Sequence, residues 1–297
     1  MSKFRIGRHI NISHGFTTAP KYAASIGCQF LQVFLGAPQQ VISKAKSTKD
    51  LQLFGSELKK YKLKAVIHGS YTINFCQPAT TTAFKTAVRS LVQDLTAASV
   101  IGKRCIGVII HMGKNVPVNK ISTKKAIANY IHGLKTTLAA APDGTTIILE
   151  TGASQGTEVA SRIDGLNEIY WALTDDERNR IKFCIDTCHI WATGYDIATP
   201  NGVKEFFKEF DKTIGVNRIA CIHFNDSKNP LKSCVDRHAD IGYGFIGIIG
   251  LKAVAKFAKQ HKIPIIMETP LDAVNPKTNL DVTFDEELNK VKTWLKN

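Results

Sequence analysis

A single (β/α)8 barrel, one domain over residues 1–297, is the fold this chain predicts. Two observations point to it. Eight short segments rich in Ile, Val, Phe and Cys recur at intervals of roughly 25 to 45 residues, separated by stretches of helical period. Six of them in succession, the third to the eighth, end in residue types that bind metal ions. A closed parallel barrel brings all its strand C-termini to one rim, whereas an open doubly wound sheet would spread them apart.

The predicted strands are Phe4–Ile10, Phe30–Leu35, Leu63–Ile67, Cys105–Ile110, Thr146–Leu149, Ile181–Ile185, Ile219–Ile222 and Ile263–Met267. Near-continuous apolar runs such as Ile219-Ala220-Cys221-Ile222 suit strands buried on both faces. Between them, Leu51, Phe54, Leu58 and Tyr61 step by three and four, as do Phe84, Val88, Leu91, Leu95 and Ala98, and Leu251, Val254, Phe257 and Ala258. Each series marks the buried stripe of a helix. Thr283 ahead of Glu286 predicts a capping box that opens a last helix reaching Leu295. No Pro/Gly/Ser-rich linker interrupts the series.

Hydrophobic residues make up 44% of the chain and charged residues 22%, the balance of an ordinary globular protein. No apolar run approaches the roughly 20 residues of a membrane span, and the N-terminus lacks the apolar region of a signal peptide. The seven cysteines are scattered without a C-x-x-C pair, so they read as reduced thiols of an intracellular protein, with Cys184 and Cys221 in the core. The net charge of +14, with lysines clustered at 44–46, 59–64 and 114–125, favours a polyanionic partner. Nucleic acid is preferred over membrane, because no basic segment carries a bulky apolar face.

The rim residues carry the chemistry. The third to fifth strands end at His68, His111 and Glu150, and the sixth at Asp186 with His189 just beyond. The seventh ends at His223, with Asp236 and His238 in its loop, and the eighth at Glu268. Asp236 and His238, two apart, project to one side of an extended segment and can grip one ion. Four carboxylates in one pit repel, so a metal-free site is strained or partly protonated. Three divalent ions would neutralise them. Mixed His and carboxylate donors suit Zn²⁺ best, with Mn²⁺ or Fe²⁺ as substitutes. Such a set leaves coordination positions for water and substrate, the arrangement that cleaves phosphodiesters by in-line attack of a bridging hydroxide. His9 and His14, at the first strand and its loop, read as supporting groups. His132 and His261 lie in helical sequence and read as structural.

With these residues in view, the chain resembles the endonuclease IV family of apurinic/apyrimidinic endonucleases, from Gly7-Arg8-His9 to Glu268-Thr269-Pro270. His68-Gly69-Ser70-Tyr71-Thr72-Ile73-Asn74, Phe183-Cys184-Ile185-Asp186-Thr187-Cys188-His189 and Ile222-His223-Phe224-Asn225-Asp226-Ser227-Lys228 followed by Asp236-Arg237-His238 are similar to its three long motifs. The resemblance implies a TIM barrel with three zinc ions that incises duplex DNA 5′ to abasic sites, leaving a 3′-hydroxyl, in base excision repair. The first zinc would take His68, His111 and Glu150. Glu150 would bridge to a second, completed by Asp186, His223 and Glu268, and a third would take His189, Asp236 and His238. Glu150, Asp186 and Glu268 would be the catalytic carboxylates around a shared hydroxide.

Tyr71, Thr72, Gln39 and Arg237 are the implied DNA contacts. Thr72 stands where the family commonly has leucine, and Gln39 is the nearest counterpart of an arginine in some relatives. The lysine excess would offset both by holding the DNA backbone. A monomer, a diverged viral origin and a place in the nucleus or cytoplasm of a host cell, or in a virion, go with this reading. A metal-dependent sugar isomerase or epimerase on the same barrel is the alternative, and a nucleic-acid-binding protein with a dead site is the third reading. No ligand position is missing, which weighs against the third.

Overall fold

The computed structural model describes residues 5–13, 15–276 and 279–296. Its barrel strands are β1 (Ile6–His9), β2 (Phe30–Val33), β3 (Lys64–His68), β4 (Cys105–Ile110), β5 (Ile147–Glu150), β6 (Ile181–Asp186), β7 (Ile219–His223) and β8 (Ile265–Met267). They close in the order β1-β8-β7-β6-β5-β4-β3-β2, all parallel. Each overlaps a predicted segment; Phe4, in the first of these, lies outside the described residues. The expected (β/α)8 barrel is the fold found.

The helices are α1 (Thr18–Ser25), α2 (Thr48–Lys60), α3 (Thr82–Ile101), α4 (Thr123–Ala140), α5 (Ile163–Trp171), α6 (Asp175–Asn179), α7 (Thr187–Ala192), α8 (Pro200–Thr213), α9 (Gly247–His261) and α10 (Phe284–Lys296). The periodic positions are their buried stripes: Leu51, Phe54 and Leu58 on α2, and Phe84, Leu91, Leu95 and Ala98 on α3. Ser47, Thr81, Ser122 and Thr199 each cap a helix by accepting an N–H three residues on. At α10 the predicted box forms, with the Glu286 N–H donating to Thr283 Oγ1 at 3.3 Å and the Thr283 N–H to Glu286 Oε2 at 2.9 Å. Among the described residues no helix is long and apolar enough to cross a membrane.

The barrel interior decides where chemistry is placed. Phe30, Val66, Ile109, Ile148, Cys184, Cys221 and Ile266, one from each of seven strands, form a fully buried apolar layer. The remaining strand, β1, contributes Gly7, where a Cβ would come within 2.1 Å of the Phe30 carbonyl oxygen, so only glycine fits beside that residue. Side chains repeat their direction every second residue along a strand. Two residues past each of these eight positions stand His9, Gln32, His68, His111, Glu150, Asp186, His223 and Glu268. An apolar floor therefore carries a ring of eight polar side chains at the C-terminal mouth.

Candidate metal centre

Glu150 lies at the middle of this ring, and its two oxygens face different histidines. Oε2 is 3.3 Å from His68 Nε2 and 3.5 Å from His111 Nε2, while Oε1 is 2.9 Å from His223 Nδ1 and 3.6 Å from His189 Nδ1. Three sets of donors gather with their ligand atoms within 4.8 Å of one another: His68, His111 and Glu150; Glu150, Asp186, His223 and Glu268; and His189, Asp236 and His238. All nine residues expected at the rim are brought together. A further set, Asp186, Cys188 and His238, overlaps these. Burial pushes the Cys188 thiol up to about 12, and its sulfur lies 3.7 Å from the Arg237 carbonyl oxygen.

Local structure explains how three of the nine arrive from beyond the barrel strands, His189 on a helix and Asp236 and His238 on a loop. Asp186 is the N-cap of α7, its Oδ1 accepting the His189 N–H at 3.0 Å, so one helical turn sets Asp186 and His189 side by side. Asp236 and His238 belong to a loop that returns as a two-residue antiparallel ladder, Asp226–Ser227 against His238–Ala239. The buried Asp226 carboxylate secures that ladder by accepting N–H groups from Ser227, Gly242, Gly244, Ile246 and Gly247. His189 Nε2 and His238 Nε2 then lie 3.2 Å from opposite oxygens of Asp236.

Four of the five imidazoles in these sets have their orientation fixed from behind. Nδ1 of His68 donates to Gly69 O at 2.8 Å, Nδ1 of His189 to Thr151 O at 2.7 Å, and Nδ1 of His238 to Glu268 O at 3.3 Å, which leaves Nε2 to face the cluster. His223 is reversed. Its Nε2 meets the Gln32 amide oxygen at 2.7 Å, and Nδ1 faces Glu150 and Glu268. His111 Nε2, Glu150 Oε2 and His189 Nε2 are buried without a hydrogen-bond partner. Unsatisfied donor atoms at the centre of a set of imidazoles and carboxylates fit divalent cations, and zinc among them by donor type.

The charge balance follows from the same geometry. Burial raises the Asp186 carboxyl. Burial also opposes charge on Glu150, yet His111, His223 and His68 hold its carboxyl well below the usual range. The histidines supply the counter-charge: against burial, Glu268 and Glu150 lift His223 to about 10, and Asp186 and Asp236 lift His238 to about 9. Protonated His189, His223 and His238 thus place positive charge where cations would place it, whereas burial lowers His111 to about 4.

A cavity of about 720 Å³ opens over the cluster, lined by Tyr71, Thr72, Lys114 and Arg237 among others. The Tyr71 ring, half exposed, stands edge-on to Phe34, His68 and His111, with ring centres 5.3, 5.5 and 5.2 Å away. Thr72 Oγ1 lies 2.8 Å from Ser70 Oγ, and Arg237 Nη1 donates to Asp236 O at 2.9 Å. Gln39 is exposed on the β2 loop and does not line the cavity; its neighbour Pro38 does, and accepts the Tyr71 N–H at 2.8 Å. His9 sits in the ring with its imidazole centre 5.0 Å from that of Phe34, lowered to about 4 by burial, and joins none of the three sets. His14 lies outside the described residues. His132 stacks on Phe84 and His261 on Phe257, both away from the site.

Sequence reasoning missed the polar supports. Gln32 joins His223 to Glu268, donating to Glu268 Oε1 at 2.6 Å, and its one signal is a lone polar residue inside Phe30-Leu31-Gln32-Val33-Phe34-Leu35. Asn225 donates to Asp186 Oδ2 at 2.8 Å and accepts the Glu268 N–H at 2.9 Å. Nothing in its spacing marks that role.

Comparison with known proteins places the chain among relatives of one barrel family. Residues 20–294 match the family model described as xylose isomerase-like TIM barrel. A protein of Acanthamoeba polyphaga mimivirus, named putative endonuclease 4, is 64% identical over 292 residues, 98% of this chain and 94% of that one. The crystal structure of endonuclease IV from Thermus thermophilus superposes with a TM-score of 0.78 at 27% identity, covering 98% of this chain and 99% of that chain. A D-tagatose 3-epimerase-like protein shares the fold, with a TM-score of 0.71 at 15% identity over 98% of this chain and 97% of its own.

Proposed function

The chain belongs to the endonuclease IV family of xylose isomerase-like TIM barrels, and on that premise we propose that it hydrolyses the phosphodiester 5′ to abasic sites in duplex DNA, with three zinc ions at the barrel rim. The observation that carries this reading is the division of Glu150, one oxygen toward Nε2 of His68 and His111 and the other toward Nδ1 of His223. A carboxylate so placed is suited to bridge two ions. His68, His111 and Glu150 would hold the first, Glu150, Asp186, His223 and Glu268 the second, and His189, Asp236 and His238 the third.

Bound there, divalent cations lower the pKa of water enough to supply a nucleophile at neutral pH and neutralise charge on the phosphoryl oxygens. The chain's own residues do the rest. Carbonyl and amide contacts behind His68, His189, His223 and His238 hold their donor nitrogens toward the centre. Glu150, Asp186 and Glu268 gather negative charge at one point, which sets the site's demand for cations. The apolar layer from Phe30 to Ile266 closes the floor against water. Tyr71, braced by three rings, offers a rigid aromatic surface on which the gap left by a missing base can be stacked. Arg237 and Lys114 at the cavity wall suit contact with DNA phosphates.

The alternative, a sugar isomerase or epimerase, shares the barrel. It has no need of the third set of donors, His189, Asp236 and His238, or of a net charge of +14. The deciding experiment offers zinc-loaded protein a duplex with one abasic analogue and, separately, a panel of ketoses. Incision 5′ to the analogue with an extendable 3′-hydroxyl supports the reading. Epimerised sugar with intact duplex overturns it.

A further inference from the structure

The barrel has a second mouth, at the N-terminal ends of its strands, and it is ringed by cations. A cavity of about 330 Å³ opens there, floored by Phe30 and lined by Arg5, Asn217, His261, Lys262 and Pro264. Arg5, Lys64 and Lys182 each lie two residues before an inward-facing position, Gly7, Val66 and Cys184, so the period of the strands turns them toward the axis at this end. Arg104 and Arg218 stand immediately before β4 and β7, and Lys262 shortly before β8. Arg5 and Lys262 line this opening, and Lys64, Arg104, Lys182 and Arg218 stand at the strand starts around it, Arg104 donating to the Leu63 carbonyl oxygen at 3.3 Å and Arg218 to that of Arg178 at 3.4 Å.

What they lack is as informative as where they are. Among the described residues, none of the six forms an ion pair with a carboxylate. Lys64 and Lys182 are partly buried, and both have their ammonium pKa lowered, by burial first and then by the neighbouring Arg5 and Arg104 or Arg218. No carboxylate enters the surroundings of either. Lys182 Nζ donates instead to the backbone oxygen of Asn217 at 2.9 Å, at the edge of the cavity. Desolvating like charges beside one another costs stability and gains nothing in packing that an apolar side chain would not supply. A cost of that kind, kept at a concave opening, marks a site for an anion.

We propose that this N-terminal mouth binds a compact polyphosphate, recognised through its phosphates by Arg5, Lys64, Arg104, Lys182, Arg218 and Lys262. Six positive charges exceed what one phosphate neutralises, and mixed arginine and lysine donors suit phosphate oxygens better than carboxylates. The opening is concave and closed below by Phe30, which admits a small anion and excludes the convex backbone of a duplex. A nucleoside triphosphate and a free inorganic oligophosphate present the same chemistry to it. This inference is independent of the activity proposed at the opposite rim.

The test is calorimetric titration of the zinc-loaded protein at physiological salt with inorganic tripolyphosphate and, separately, ATP. Zinc content is checked before and after, because either probe can also meet the metal centre. Lys64→Met/Lys182→Met keeps the aliphatic stems and removes two charges. It is expected to weaken the N-terminal site at least tenfold, to melt no lower than the parent, and to leave incision of abasic duplex unchanged. Any binding at the metal centre persists equally in parent and variant. A second pair on the exposed lip, Arg5→Ala/Lys262→Ala, is expected to lose at least fivefold, and decides the matter should the first variant fold poorly. Equal tripolyphosphate and ATP affinities mean phosphates alone are read; tighter ATP binding means the nucleoside adds contacts, and both support the proposal. Affinity within twofold of the parent in both variants overturns it. So does displacement of tripolyphosphate by an undamaged duplex, or a parallel loss of incision, since either would make the mouth part of a DNA surface.

Discussion

The Gln32 amide oxygen lies 2.7 Å from His223 Nε2, and this contact fixes which nitrogen of His223 faces the metal centre. Because Nε2 gives its proton to that oxygen, a neutral His223 would keep its Nδ1 lone pair for an ion beside Glu150 and Glu268. The amide nitrogen of Gln32 meanwhile steadies Glu268. Gln32→Leu should therefore bind zinc about 10–100-fold more weakly, the usual cost of losing a group that orients a ligand. Competition against a chromophoric chelator measures this, with circular dichroism to verify the fold. Parent-like affinity in a folded variant would remove Gln32 from the account.

Tyr71 should matter more than Thr72 for recognising damage. Its ring is braced edge-on by Phe34, His68 and His111, whereas the Thr72 hydroxyl turns back to Ser70. Tyr71→Ala is expected to slow single-turnover incision by about one to two orders of magnitude, or ~1–3 kcal/mol on the stacking scale. Thr72→Leu should match or exceed the parent. If Tyr71→Ala cuts at the parent rate while Thr72→Leu is crippled, the wedge lies elsewhere, and the loop of Pro38 and Gln39 is the next place to look.

Lysines near the cavity should supply much of the DNA affinity. Lys114 lines the cavity and Lys120 is exposed on the same loop. Log affinity for abasic duplex is expected to fall with log salt by about 0.9 per neutralised phosphate. Lys114→Gln/Lys120→Gln should make that slope shallower by about two phosphates' worth without changing the preference for damaged over intact duplex. A shallow slope in the parent protein would count against this.

A buried carboxyl gives a pH signature in stability. Glu287 accepts the Ile241 N–H at 2.7 Å and the Thr269 hydroxyl at 2.5 Å, and burial raises it to about 6. Its folded pKa lies above its unfolded one, so its contribution is present at low pH and is lost as pH rises through about 6. Glu287→Gln removes that loss. Its stability relative to the parent should improve by about 1 kcal/mol between pH 5 and pH 8 in urea unfolding. A constant difference across that range would show that Glu287 does not titrate as described.

Much of this molecule was legible from its residues. Apolar strands of the Ile219–Ile222 kind and helical stripes such as Leu51, Phe54 and Leu58 announce themselves because burial imposes a period on the sequence. The rim donors were legible for a related reason: a histidine or carboxylate at the end of a buried strand is costly unless it is used. Gln32 and Asn225 were not, because an amide's importance lies in partners 191 and 43 residues away in the chain, to His223 and Glu268 respectively. The anchoring role of Asp226 was hidden for the same reason, since its five backbone donors arrive from residues that only the fold gathers. The cationic N-terminal mouth escaped notice too. Its members sit at six separate strand starts, where each looks like an ordinary surface charge.

The central claim is that three ions sit on three donor sets joined through Glu150, and zinc titration of the chelator-stripped protein tests it most directly. Incision of abasic duplex should rise with added zinc until about three equivalents per chain are bound and then level off, as the three donor sets require. Glu150→Gln should hold less zinc and stay inactive throughout. Full activity at one equivalent, or incision by protein that elemental analysis shows to be free of metal, would contradict the account.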